Sequence, residues 1–198
     1  MRTFRISLQI AGRVLLIACG IELAMAGDSG NQEPIRLSRE TCASLQGFSI
    51  PASAIGLPSA GALVQAAVFL PASETGNTNG DFCKVTGIVK PHNASSPNVE
   101  FEINLPAAWN SRALQMGGGG YDGSLVTGLT PYSNQTPNSD TPLKQGFLTL
   151  GSDGGHEGKP GFDGTFGLDD EALLNYGRQS VKKAHAQRSC GPFPPVLS

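Results

Sequence analysis

Arg112-Ala113-Leu114-Gln115-Met116-Gly117-Gly118-Gly119-Gly120-Tyr121-Asp122-Gly123 is the stretch on which the reading of the fold turns. A short apolar strand, Arg112 to Met116, runs straight into four glycines. Backbone without side chains leaves its N–H groups unscreened, and such groups can hold the negative charge that develops on an ester oxygen. A tight turn needing positive φ would also use glycine, so the run has to be read with its surroundings. Upstream, Cys83 to Lys90 (C-K-V-T-G-I-V-K) reads as a strand. A turn of Pro, Asn and Ser follows at 91–97. Val99 to Leu105 (V-E-F-E-I-N-L) then alternates apolar and polar, as a half-buried strand does, and the two make a hairpin.

Downstream, a long loop reaches about Lys144. Gly146 to Leu150 reads as a fourth strand, ending in Gly151-Ser152-Asp153, and a second glycine-rich loop covers Gly154 to Gly167. Asp169 to Gln187 is the one convincing long helix, about 28 Å at 1.5 Å per residue. Asp169, Asp170 and Glu171 at its start and Lys182 and Lys183 near its end suit the helix dipole. Leu173, Gly177, Ser180, Val181 and Ala184 form the stripe expected to pack on the sheet. Strands followed by a packing helix give an α/β class. Before them, Ser38 to Leu45 is a short helix capped by Ser38. Residues 46 to 80 hold no regular pattern beyond an apolar stretch, Ala62 to Leu70.

Composition excludes several classes. A net charge of −2 gives no field to attract nucleic acid or an anionic membrane surface. Gly and Pro, 26 and 14 of 198 residues, make the chain loop-rich without reaching the range of disorder. Arg2, Arg5 and Arg13, the apolar run Val14 to Ile21 and Ala24-Met25-Ala26 read as an export leader over 1–26. The run is far shorter than the roughly 20 residues a spanning helix needs. Export to the periplasm or the outside permits disulfides among Cys42, Cys83 and Cys190. A Cys42–Cys83 bond would stabilise by about 4 kcal/mol in the chain-entropy model; three free thiols is the alternative. Residues 188–198 (R-S-C-G-P-F-P-P-V-L-S) have no periodicity and read as an unrelated Pro-rich tail.

Gly118-Gly119-Gly120-Tyr121-Asp122-Gly123 satisfies G-x-G-x-x-G, but a dinucleotide site needs a helix directly after it, and Gly128 and Pro131 forbid one. Asp153, His156, Asp163 and Asp169 could be read around calcium, yet their spacing fits no known loop. No metal or cofactor is expected.

The ordered series C-K-V-T-G-I-V-K-P, V-E-F-E-I-N-L-P-A-A-W-N, L-Q-M-G-G-G-G-Y-D-G-S, G-F-L-T-L-G-S-D-G-G-H-E-G and L-N-Y-G-R-Q-S-V-K-K-A-H resembles the N-terminal part of the tannase and feruloyl esterase family. The resemblance spans roughly Cys42 to His185. It implies part of an α/β-hydrolase fold over 27–187, in an exported serine esterase whose small-molecule substrates are aromatic esters. It implies that Gly118, Gly119 and Gly120 form the oxyanion hole, that Tyr121 and Asp122 line its edge, and that Cys42 and Cys83 are the family's disulfide. Asp153, His156 and Glu157 match the loop after the next strand in a structural role, with His156 a hydrogen-bonded loop histidine. The family's Gly-Cys-Ser-x-Gly-Gly elbow, its acid and its histidine have no counterpart here, since no Gly-x-Ser-x-Gly occurs in these 198 residues. The sequence is therefore expected to be inactive by itself. The alternative is a small exported module that binds polyphenol or glycan through Trp109, Tyr121 and Phe147.

Overall fold

The computed structural model describes residues 37–131, 139–158 and 163–190. The leader expected over 1–26 and the Pro-rich residues 191–198 lie outside the described residues. Six strands form one mixed sheet: β1 (Ser49–Ile50), β2 (Ala62–Leu70), β3 (Phe82–Val89), β4 (Val99–Pro106), β5 (Ala113–Gln115) and β6 (Leu148–Ser152). Their order across the sheet is β1-β2-β3-β4-β6-β5. Every pair is antiparallel except β5 with β6, which is parallel. With its helices this is an α/β architecture.

The expected β3–β4 hairpin is present, and its register runs from Cys83 opposite Leu105 to Val89 opposite Val99. Val85, Val99, Phe101 and Ile103 are buried in a core that also holds Val64, Leu148 and Leu150. The expectation of a half-buried β4 is corrected, because its polar side is covered as well. Glu102 and Asn104 are buried there. Lys84 pairs with Glu102 at 3.3 Å, and Asn104 Nδ2 donates to Glu102 Oε1, to Thr149 Oγ1 and to the Thr127 carbonyl. Those partners make burial of a polar face tolerable.

The stretch Ala62–Leu70 is a full strand, β2, paired with β3 along its length with one irregularity between Val64 and Ala66. Close contact explains Gly87 in β3: a Cβ there would lie 2.4 Å from the Leu63 carbonyl oxygen and 2.5 Å from Phe101 Cζ. Helix α1 (Arg39–Ala43) starts at Ser38, whose hydroxyl accepts from Thr41 N while Thr41 Oγ1 accepts from Ser38 N. This reciprocal cap satisfies two otherwise orphaned donors. Cys42 in α1 and Cys83 in β3 are joined by a disulfide. A short α2 (Ala52–Ile55) follows β1.

The C-terminal helix comes in pieces: a 3₁₀ turn (Thr165–Leu168), α3 (Asp170–Leu174), a π-helical turn (Asn175–Gln179) and α4 (Ser180–Cys190). It runs past Gln187, where a break was expected. Its inward stripe also differs. Ala172, Asn175, Ser180, Lys183, Ala184 and Gln187 are buried, whereas Leu173 and Val181 are exposed. Polar anchors decide this. Glu171 accepts from His92 N and Asn93 N, and Lys183 Nζ lies 2.8 Å from Asn175 Oδ1 and 3.4 Å from Glu171 Oε1. Gln115 Nε2 in β5 donates to the Val181 carbonyl, so α4 lies beside that strand.

Candidate functional site

Strand β5 delivers the chain into Gly117–Gly120, and β6, its parallel neighbour, delivers Asp153 to His156 at the same end of the sheet. Two hydrogen bonds hold the carbonyl side of the glycine run. Asp122 N donates to Gly119 O at 3.0 Å, and Tyr176 Oη donates to Gly120 O at 3.0 Å. Among the described residues no acceptor engages the N–H groups of Gly117, Gly118, Gly119 or Gly120, and all four residues are exposed. Gly120 and Gly123 have φ of 63° and 80°, and Asp122 has φ of 59°. The run is thus a bend with tethered carbonyls and open amides.

The two loops lock together. Gly123 N donates to Asp153 O, and Gly158 N donates to Gly123 O. The Asp122 carboxyl folds back over Gly118, where a Cβ would sit 1.8 Å from Oδ1, and it also abuts Gly154. On the other loop, Asp153 Oδ1 accepts from Glu100 N and Gly155 N. Burial pushes the Asp153 carboxyl up to about 7 against the pull of those two donors. Burial also raises Asp122, opposed by the nearby His156.

Four rings gather beside the glycine run. His156 stacks on Phe166 with centroids 3.8 Å apart, and Phe166 and Tyr176 are 4.9 Å apart. Tyr121 meets Phe166 and Tyr176 edge-on. Tyr121 is 46% exposed, so the cluster presents an aromatic edge to solvent next to the open amides. The expected hydrogen bonds of His156 are not found: both ring nitrogens and Asp153 Oδ2 are buried without a partner among the described residues. Phe166 and Tyr176 were not foreseen. They enter the site through the helix, and only the Y in L-N-Y-G-R-Q hinted at one of them. Asp153, His156 and Phe166 also line a cavity of about 430 Å³ with Glu100, Glu157 and Asp169. No three acidic, His or Cys groups among the described residues are placed to hold a metal ion.

Trp109 is separate from this cluster. It packs half-buried on the core, and its Nε1 donates to Arg112 O. Phe147 lies beneath the Arg112 guanidinium. Tyr121 instead makes its ring contacts with Phe166 and Tyr176, so these contacts do not join the three aromatics of the binding-module reading.

Backbone N–H groups left open at the end of a strand can in principle receive the negative charge of an oxyanion. The family model described as tannase and feruloyl esterase matches residues 83–189, and the chain belongs to that family. An uncharacterized esterase of Agrobacterium fabrum is 42% identical over 142 residues, 72% of this chain and 26% of that protein. The mono(2-hydroxyethyl) terephthalate hydrolase of Piscinibacter sakaiensis is 30% identical over 135 residues, covering 62% and 22%. Among solved structures, feruloyl esterase B from Aspergillus oryzae matches with a TM-score of 0.46 at 20% identity, over 78% of this chain and 30% of that one. The chain spans about a quarter of the length of these curated relatives.

Proposed function

We propose that residues 27–187 are the N-terminal part of an α/β-hydrolase domain that cleaves aromatic carboxylic esters by a serine mechanism, and that they supply its oxyanion hole. The observation that carries this reading is the open N–H edge of Gly118, Gly119 and Gly120, whose carbonyl side is tied down by Asp122 N and Tyr176 Oη. Donors fixed before the reaction stabilise a developing oxyanion without reorganising at that moment. Family membership supports the ester class. The exposed edge of Tyr121 supports an aromatic acyl group, as does the terephthalate in the name of the Piscinibacter sakaiensis hydrolase. Export, to the periplasm or outside, rests on the leader over 1–26. Among the described residues no helix is long and apolar enough to cross a membrane.

In this reading the serine, its base and its acid come from sequence that these 198 residues do not contain. The 198-residue chain should leave methyl ferulate and mono(2-hydroxyethyl) terephthalate unhydrolysed, and turnover by it would overturn the division of labour. The positive test is a chimera. Residues of this chain replace the matching segment of the Agrobacterium fabrum esterase, and parent and chimera are assayed on aromatic and aliphatic esters. A folded chimera that keeps the parent's aromatic-ester activity supports the reading. A folded chimera inactive where the parent is active sinks it. Within an active chimera, Gly118→Ala should lower kcat by about 10²–10³, the usual loss when one oxyanion donor is displaced.

A further inference from the structure

Asp122 is the residue in the glycine loop whose conformation asks for an explanation. It is not glycine, yet its φ is 59°, a region that L side chains seldom adopt and that Asn and Asp tolerate best. The next residue, Gly123, is also left-handed, so the chain doubles back sharply. This brings the Asp122 side chain over the loop's own start. A Cβ on Gly118 would collide with Oδ1 at 1.8 Å, Cγ at 2.5 Å and Oδ2 at 2.9 Å. The other side of the carboxyl meets Gly154, where a Cβ would lie 3.0 Å from Oδ2 and 3.3 Å from Asp122 Cβ. Two glycines in different loops are thus shaped around one carboxyl group.

We propose that Asp122 is the positioning residue of the glycine loop: its carboxyl, wedged between Gly118 and Gly154, fixes the directions in which the Gly118–Gly120 N–H groups point. The inference rests on reading those amides as oxyanion donors, but the loop's order can be measured without any turnover. The backbone alone gives the run little restraint, because four successive glycines have the widest choice of φ and ψ. Besides the wedge, the run is held at Gly119 O and Gly120 O. Neither bond engages the Gly118 peptide, which the carboxyl covers.

The wedge is also titratable. Facing it is His156 from the loop after β6, with Tyr176 from the helix bonded to the neighbouring Gly120 carbonyl. Burial disfavours the charged carboxylate and His156 partly offsets this, so the proton stays on Asp122 to a higher pH than on a solvated aspartate. Deprotonation brings charge onto a group pressed against backbone, and the Gly118–Gly120 amides should sense it directly.

The experiment uses the 198-residue chain, ¹⁵N-labelled, with Asp122→Asn and Asp122→Gly. Asparagine keeps the shape and the left-handed backbone while removing the charge. Glycine keeps the backbone and removes the wedge. The Gly118, Gly119 and Gly120 cross-peaks should titrate together with a midpoint above the ordinary aspartate range. In Asp122→Asn that titration should vanish while the order parameters stay near the wild-type value. In Asp122→Gly the order parameters of the three amides should fall from about 0.85 to below about 0.6, with the β3 and β4 peaks unmoved. A loop equally ordered in Asp122→Gly overturns the proposal. So does a titration that persists in Asp122→Asn, since another group would then be its source. Should Asp122→Gly not fold, Asp122→Ser, which also withdraws the carboxyl from Gly118 and Gly154, takes its place with the same expected fall in order. None of these outcomes depends on whether the amides serve an ester, which the chimera tests separately.

Discussion

At the scale of single residues, buried carboxyls are where the site departs most from what a sequence conveys. By resemblance Asp153 is a structural residue of the loop after its strand. The fold places it against β4, with Oδ1 accepting from Glu100 N and Gly155 N and Oδ2 enclosed without a partner. Its carboxyl is raised to about 7, chiefly by burial, whereas an unfolded chain titrates it near the ordinary value of about 3.9. Between those values the folded state binds the proton more tightly. Stability from this group is therefore fully present below about pH 4 and declines as pH rises toward 7. Asp153→Asn keeps the two accepted bonds and removes the charge. It should raise the urea midpoint at pH 8, by up to about 4 kcal/mol in stability, and gain much less at pH 5. An equal gain at both values would mean that Asp153 is not protonated at low pH in the folded chain. The glycine run was legible because glycine is conspicuous in a sequence. Its clamp was not, since Asp122, Gly154, Phe166 and Tyr176 meet only after two loops and a helix fold together.

At the scale of elements, the sequence spoke clearly where periodicity was strict and poorly where it was not. V-E-F-E-I-N-L alternates, and β4 is there; A-L-V-Q-A-A-V-F-L does not, and its apolar stretch does not read as a strand although β2 pairs with the whole of β3. Its signal is composition between two breakers, Gly61 and Pro71, which periodicity alone does not resolve. The β2–β3 seam is tight at Gly87. Gly87→Ala would drive a methyl group into the Leu63 carbonyl and the Phe101 ring, and should cost about 1–3 kcal/mol in thermal or urea unfolding. A neutral result would mean that β2 can slide away from β3. The helix misled in the opposite way. Its apolar residues Leu173 and Val181 face outward, and its inward side is fixed by Glu171, Asn175 and Lys183. Glu171→Ala would remove the acceptor of His92 N and Asn93 N and leave the buried Lys183 with Asn175 alone. That should cost about 3–5 kcal/mol, and Glu171→Ala with Lys183→Met should recover part of it. No recovery would show that the turn at His92, rather than the buried charge, carries the cost.

At the scale of the whole molecule, the question is whether residues spanning about a quarter of their relatives still form one folding unit. The core answers in favour. One contiguous apolar cluster runs from Cys42 and Leu45 beside α1, through Val64, Val85, Phe101 and Ile103 in the sheet, to Leu150 in β6 and Ala184 in α4. The Cys42–Cys83 bond ties the first helix to the centre of the sheet across 41 residues of sequence. The edge strand β5 is only three residues long and is bridged to α4 by Gln115, and short edges are the least prone to pair with other chains. The chain should therefore unfold in one step. Trp109, the sole tryptophan, reports the turn before β5, and far-UV circular dichroism reports sheet and helix together. Their urea midpoints should coincide. Reducing the disulfide should lower both midpoints together, by about 4 kcal/mol of stability in the chain-entropy model. If helical signal were lost first, the 170–190 helix would be a separable layer held mainly by Glu171 and Lys183. The outward-facing Leu173, Leu174 and Val181, each left 43–57% exposed, would then be the reason, and the Tyr176 tether on Gly120 would be lost with the helix.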